Sequence, residues 1–432
     1  MATGRRSVLT AGAALLVAGG GAVWRSGRHR AGAAPVADSL EDAAEDRAGV
    51  QRLLDRRAAA VLARDRAALA ATVAPAQLSL RDAQAALLGN LARVPLAEWR
   101  YTLQALDAFP LPPVLPERDR LAARVQLAYR LSGFDSEPVT ATQYLTFGRD
   151  GGGDWLLDSD SDHPGGDTQI WDLGPVAVVQ GRSCLVLGLG GPTALKVLAD
   201  QADRVVPVVS ALWGSDWGQR TVWQAPLALD QFGRLLGVDP LTYGSIAAVT
   251  TGELGPAEAA RTERITVNPQ VWDSLNALGR QVVSTHETTH VATRAITEPW
   301  TPRWLAEGAA NWTGYLGTGR TPQQIAPELL TDVAAGRVPT ALPADAAFDG
   351  SASGLPQAYE QAWFACRGVV LRHGGPALVG LYRAVAATGG QGGQEKALDS
   401  ALRRSLGTGL TAFTAQWRAD LVSAARAPRV KA

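Results

Sequence analysis

His286-Glu287-Thr288-Thr289-His290 carries the strongest chemical signal in the chain. On a helix, positions i and i+4 share one face, so both imidazoles can reach a single ion. Glu287 sits one residue round, where it can hold a water on that ion and take its proton. Histidine is scarce, 5 in 432 residues, and chance placement of this pattern is then roughly 0.002 per chain. The spacing points to a zinc centre of the kind that hydrolyses amide bonds.

Such a centre needs a helix to carry it. Asn268-Pro269 is a start signal, an N-cap residue followed by proline at the first helical position. After it, Val271, Leu275, Leu278, Val282, His286 and His290 fall on one stripe at spacings of three and four, which predicts one helix with both histidines on its buried face. The residues around the pentad (Val283, Ser284, Thr285, Val291, Ala292) are uncharged. Gly279 costs up to about 1 kcal/mol of helix propensity.

A catalytic zinc usually has three protein ligands and a water, so one ligand is still to be found. No histidine or cysteine follows closely. Instead the chain reads Thr301-Pro302-Arg303-Trp304-Leu305-Ala306-Glu307-Gly308-Ala309-Ala310-Asn311, again a cap and a proline opening a helix after a short turn. Running back antiparallel, that helix would bring Glu307 over His286 and His290 as the third ligand. Asn311, one turn on, could hydrogen-bond and orient a ligand.

His286-Glu287-Thr288-Thr289-His290 followed by Trp304-Leu305-Ala306-Glu307-Gly308 resembles the gluzincin zinc metallopeptidases, and most of all the bacterial peptidase MA-like group, distantly related to the thermolysin and M1 aminopeptidase families. The resemblance covers about residues 175 to 428. It implies one catalytic Zn2+, Glu287 as general base and a peptide or protein substrate. It also implies an edge strand lining the substrate cleft, for which Arg264-Ile265-Thr266-Val267 is the match. A tyrosine or histidine on a later helix is implied as oxyanion stabiliser; Tyr359, in Ala358-Tyr359-Glu360-Gln361-Ala362-Trp363-Phe364, fits best, with Tyr315 and His373 as competitors. No Gly-Ala-Met-Glu-Asn segment is present, so aminopeptidase activity is not carried over. The competing expectation is a catalytically weak or inactive, peptidase-shaped zinc protein acting as an envelope binding module.

Arg5-Arg6 precedes an apolar run from Val8 to Val23, and Ala31-Gly32-Ala33 offers a small-residue cleavage site. Residues 1–34 are therefore expected to form an export leader, similar to a twin-arginine signal, or an uncleaved anchor. The expected location is extracytoplasmic, with any membrane attachment through this segment alone. Lys+Arg and Asp+Glu both total 41, which leaves no net field for nucleic acid. The two cysteines, Cys184 and Cys366, are either a disulfide or two buried thiols.

The fold class expected is α+β: an NTF2-like α+β cone, then a gluzincin-type catalytic domain with an antiparallel or mixed sheet, then a helical C-terminal subdomain. The boundaries are 35–44 linker, 45–160 NTF2-like, 161–174 linker, 175–317 catalytic, and 318–428 helical. The NTF2 resemblance rests on order alone. Helical patterns at 45–72 and 79–93 put Val50, Leu53, Leu54, Val61 and Leu62 on one face. Strand-like runs follow at 99–106, 122–131 and 140–147, and Gly148 to Asp154 is a hairpin signal before Trp155. Asp158 to Asp167 lacks the glycine and glutamate of a calcium loop and is expected to be a solvated junction.

Overall fold

The computed structural model describes residues 37–113, 119–251 and 263–427; the leader at 1–34 lies outside them. The chain divides into two compact units between Ala177 and Val178. Among the described residues no helix is long and apolar enough to cross a membrane.

The first unit opens with α1 (Ala37–Ala63), α2 (Arg66–Ala70) and α3 (Leu78–Asn90), then an antiparallel meander of β1 (Leu96–Leu106), β2 (Arg120–Leu131), β3 (Val139–Arg149) and β4 (Trp155–Ser159) in that order. The predicted hairpin joins β3 to β4. Val50, Leu53, Leu54 and Val61 of α1 are buried as their spacing requires, whereas Leu62 is exposed. The Gln51 amide ties α1 to β1, donating to the Tyr101 carbonyl at 2.9 Å and accepting from the Leu103 amide at 2.9 Å.

Both expected linkers are corrected. The stretch 35–44 is helical from Ala37, because its alanines favour helix and its acidic residues suit a helix N-terminus. Nor is Asp158 to Asp167 a solvated junction. Arg120, itself buried, pairs with Asp158 at 2.9 Å and Asp162 at 2.6 Å. Asp162 also accepts from Thr146, and Asp167 from the Thr142 amide. Ile170 and Trp171, in the short 3-10 turn Ile170–Asp172, are fully buried. Partner charges from β2, rather than anything in the local pattern, pull this segment into the unit.

The second unit contains β5 (Ala177–Gln180), β6 (Cys184–Gly188), α4 (Pro192–Trp213), β7 (Thr221–Ala225), α5 (Leu229–Leu236), β8 (Ala248–Thr251) and β9 (Arg264–Val267). Its sheet runs β5-β6-β7-β9-β8. β6, β7 and β9 are parallel, and β8 is antiparallel to β9. The edge strand at this end of the sheet is therefore β8, and Arg264–Val267 is the strand inside it. β9 is buried along its whole length, as a strand flanked on both sides must be. The sheet is mixed.

After β9 come α6 (Pro269–Ser274), α7 (Ala277–Thr293) and α8 (Arg303–Tyr315). The single helix expected from Asn268 to His290 is two. Leu275 is extended, and Asn276 caps a new helix by accepting from the Gly279 amide at 2.9 Å. The apolar stripe crosses the break because Leu275 stays buried, so periodicity hides it. Thr301 does not cap α8 either: Pro302 takes the cap position, and Asp345 accepts from the Arg303 amide at 2.9 Å. Beyond α8 the chain is helical, with α9 (Pro322–Ile325), α10 (Pro327–Ala334), α11 (Leu355–His373), α12 (Gly375–Ala386), α13 (Gln394–Leu406) and α14 (Leu410–Arg426). One core, from Val209 to Leu421, joins these helices to α4 and α8. Cys184 and Cys366 are both free, buried thiols, so the disulfide alternative falls.

α8 is held between α7 and α11, and glycines permit the approach. A Cβ on Gly308 would lie 2.3 Å from the Ala362 carbonyl oxygen of α11, and one on Gly314 3.0 Å from the Val282 carbonyl oxygen of α7. The first contact is with backbone, which cannot swing aside. Gly308→Ala should therefore cost about 3 kcal/mol, the upper end of overpacking, and lower Tm by roughly 6–12 °C. Gly380→Ala, where an added methyl meets nothing within 4 Å, is the control and should melt at or slightly above the parent. Equal melting temperatures for the parent and Gly308→Ala would contradict this packing.

Candidate metal centre

α7 and α8 bring together the three side chains that the sequence singles out as ligands. One ligating atom from each of His286, His290 and Glu307 lies within 4.8 Å of the others. The two imidazole Nε2 atoms are 3.0 Å apart. Glu307 Oε2 is 3.3 Å from His286 Nε2 and 3.4 Å from His290 Nε2. All three residues are buried, Glu307 at 0% exposure.

These distances fit a shared ion better than direct hydrogen bonds. Ligand atoms about 2.0–2.1 Å from a tetrahedral zinc are about 3.3 Å apart. Neither oxygen of Glu307 has a hydrogen-bond partner among the described residues, although a buried carboxylate ordinarily demands one. The ligating atoms of all three side chains converge on one point, and imidazole with carboxylate is a donor set that zinc accepts.

Asn311, one turn after Glu307, places its Oδ1 2.9 Å from His286 Nδ1. A carbonyl oxygen only accepts, so Nδ1 carries the proton and Nε2 presents a bare lone pair. Asn311 thus holds the imidazole with Nε2 turned toward Glu307.

Glu287, also buried, points to the sheet edge. Its Oε2 accepts from the Thr250 hydroxyl of β8 at 2.6 Å. Burial raises its pKa to about 7, against the opposing pull of His286 and Thr250. For Glu307, burial also pushes upward, but the fields of His290 and His286 prevail and hold it down at about 2. The same two forces split the imidazoles. Burial lowers both, and contact with Glu307 outweighs it at His286, which is raised, but not at His290, which stays lowered.

Of the three oxyanion candidates, α11 brings Tyr359 to the site, its ring 6.4 Å from that of His286 and edge-on to Phe348. Burial first, and then the charge of Glu307, push its phenol well above the ordinary value. Tyr315 packs on Trp363 at the end of α8, and His373 is exposed at the end of α11. Three residues near the site went unremarked in the sequence. Thr250 and Tyr382, the latter with its hydroxyl 2.7 Å from that of Thr297, arrive from distant elements without a local signal. Arg294 had one, since it follows His290 by four residues.

No protein-family model matches the chain, and neither does any curated protein. Among solved structures, one match is a two-domain M1 zinc metallopeptidase mutant bound to L-tryptophan, 18% identical, covering 59% of this chain and 52% of its own, with a TM-score of 0.31. A second is a two-domain M1 zinc metallopeptidase mutant bound to L-arginine, 14% identical, covering 71% of this chain and 90% of its own, with a TM-score of 0.34. The chain spans about half the length of the first.

The Asn311 contact makes a testable demand on metal affinity. Asn311→Ala should weaken zinc binding by about 10–100-fold, read by competition with a chromophoric chelator. An unchanged affinity would mean that the amide does not orient His286.

Proposed function

We propose that the chain is a zinc-dependent peptide hydrolase. The observation that carries this reading is the convergence of His286, His290 and Glu307, with both oxygens of a fully buried carboxylate left without donors. His286, His290 and Glu307 would hold the ion. A zinc bound there polarises a carbonyl and makes water more acidic.

The remaining work falls to this chain's own side chains. Thr250 orients the Glu287 carboxylate through Oε2, and that carboxylate receives a proton from the attacking water as the water oxygen bonds to the substrate carbonyl carbon. A pKa near 7 suits a group that must take this proton and then release it. When the C–N bond breaks, Glu287 gives the proton to the departing nitrogen, so the carboxylate is restored. Tyr359, kept as a phenol by its raised pKa, would donate to the oxygen that bears the developing charge. β8 lies at the sheet edge, where an extended peptide could add as a further strand.

Peptide as the substrate follows the gluzincin resemblance of the two metal helices. Export follows the Arg5-Arg6 leader, which suits an enzyme acting outside the cytoplasm.

Glu287→Gln removes the base without removing a ligand. The variant should keep its zinc, measured by elemental analysis, and lose at least about 10³-fold in peptide hydrolysis. Hydrolysis at the parent rate in a zinc-loaded variant would sink this mechanism.

A further inference from the structure

Arg294 is a buried charge with no part in the chemistry above. It follows His290 by one helical turn, where α7 tightens into the 3-10 segment Arg294–Ile296. The residue is 3% exposed, and none of its three guanidinium nitrogens has a hydrogen-bond partner among the described residues. Glu263 lies beside it, with Oε1 3.5 Å from Nε. That is an ion-pair distance, beyond a well-formed hydrogen bond. The nearby hydroxyls of Thr297 and Tyr382 are engaged with one another.

A guanidinium is among the costliest groups to bury with donors unused. Nη1 and Nη2, neither with a hydrogen-bond partner among the described residues, form a parallel fork, the arrangement that matches a carboxylate in a bidentate pair. The fork lies within electrostatic reach of the metal centre. Burial pushes the Arg294 guanidinium below its ordinary value while Glu263, Tyr382 and Glu307 resist, and Arg294 in turn contributes to lowering His290. Four helical residues advance about 6 Å, and an extended peptide covers about 3.3–3.6 Å per residue. Arg294 therefore lies about two extended residues' length or less along the helix from the metal ligand His290.

We propose that Arg294 selects the substrate, its Nη1/Nη2 fork clamping a peptide carboxylate close to the scissile bond. This rests on the peptidase reading and narrows its substrate class to peptides with a carboxylate near the cut. The carboxylate belongs either to a free C-terminus or to an Asp or Glu side chain.

The test is calorimetric binding to the zinc-loaded Glu287→Gln chain, which does not depend on turnover. The probes are acetyl-Ala-Ala-Ala with a free carboxylate, its C-terminal amide, and the amide with Glu in place of the central Ala. One carboxylate peptide should bind at least about 30-fold tighter than the uncharged amide. Adding Arg294→Gln should abolish that preference without changing the affinity for the amide. Preference for the free acid marks a C-terminal carboxylate, and preference for the Glu amide marks a side chain. Equal affinities in the parent background, absence of binding included, would overturn the proposal, as would a preference that survives Arg294→Gln. Should Arg294→Gln fail to fold, Arg294→Lys keeps the charge and loses the fork, and should cut the preference about tenfold; an undiminished preference there counts against the clamp. Zinc content of the same samples, by elemental analysis, separates failure of the clamp from failure of the metal centre.

Discussion

A carboxylate at 0% exposure, facing two imidazole nitrogens at 3.3 and 3.4 Å with no aligned donor, is the constraint around which the second unit is arranged. An unpaired buried charge is strongly unfavourable, and removing one member of such a group costs several kcal/mol because the rest are left uncompensated. A divalent cation bound there would resolve the conflict. Everything that fixes α8 against α7 therefore bears on the site: Gly308 against α11, Gly314 against α7, and the Trp213 indole of α4 donating to Thr313 at 3.1 Å. Close helix contacts leave the carboxylate no room to escape to water.

Two glutamates on adjacent helices, both pushed upward by burial, are driven apart by their neighbours. Glu307 meets two imidazoles and is held at about 2, the state a ligand needs. Glu287 meets Thr250 and the field of His286, which do not offset its burial, and rises to about 7. Environments that push two carboxylates apart in pKa suit them to the different roles proposed above, ligand for Glu307 and proton carrier for Glu287. The division follows from helix geometry. His286 and His290 share a face of α7, and Glu287, one residue round, is turned to β8, where Thr250 receives it.

What could be read in the sequence was what a helix repeats locally. The spacing of His286 and His290, the return of Glu307 on the next helix and the place of Asn311 one turn later all depend on 3.6-residue periodicity, and the structure brings these four together. Tyr359 comes from a helix some fifty residues on, and only the family resemblance pointed to it. Where long-range pairing decides, the pattern was silent. Arg264–Val267 has the composition of a strand, but nothing local tells an edge from its neighbour, and antiparallel β8 takes the edge. The break at Leu275 and Asn276 preserves the buried stripe, so the stripe does not report it. The aspartates from 158 to 167 look solvated until Arg120, from β2, is seen to pair with two of them.

The most direct test is the zinc content of the purified chain beside that of Glu307→Ala, by elemental analysis. A site built on His286, His290 and Glu307 predicts one zinc per parent chain and a large loss in the variant. A folded parent without zinc, or a variant that keeps its full complement, would contradict it.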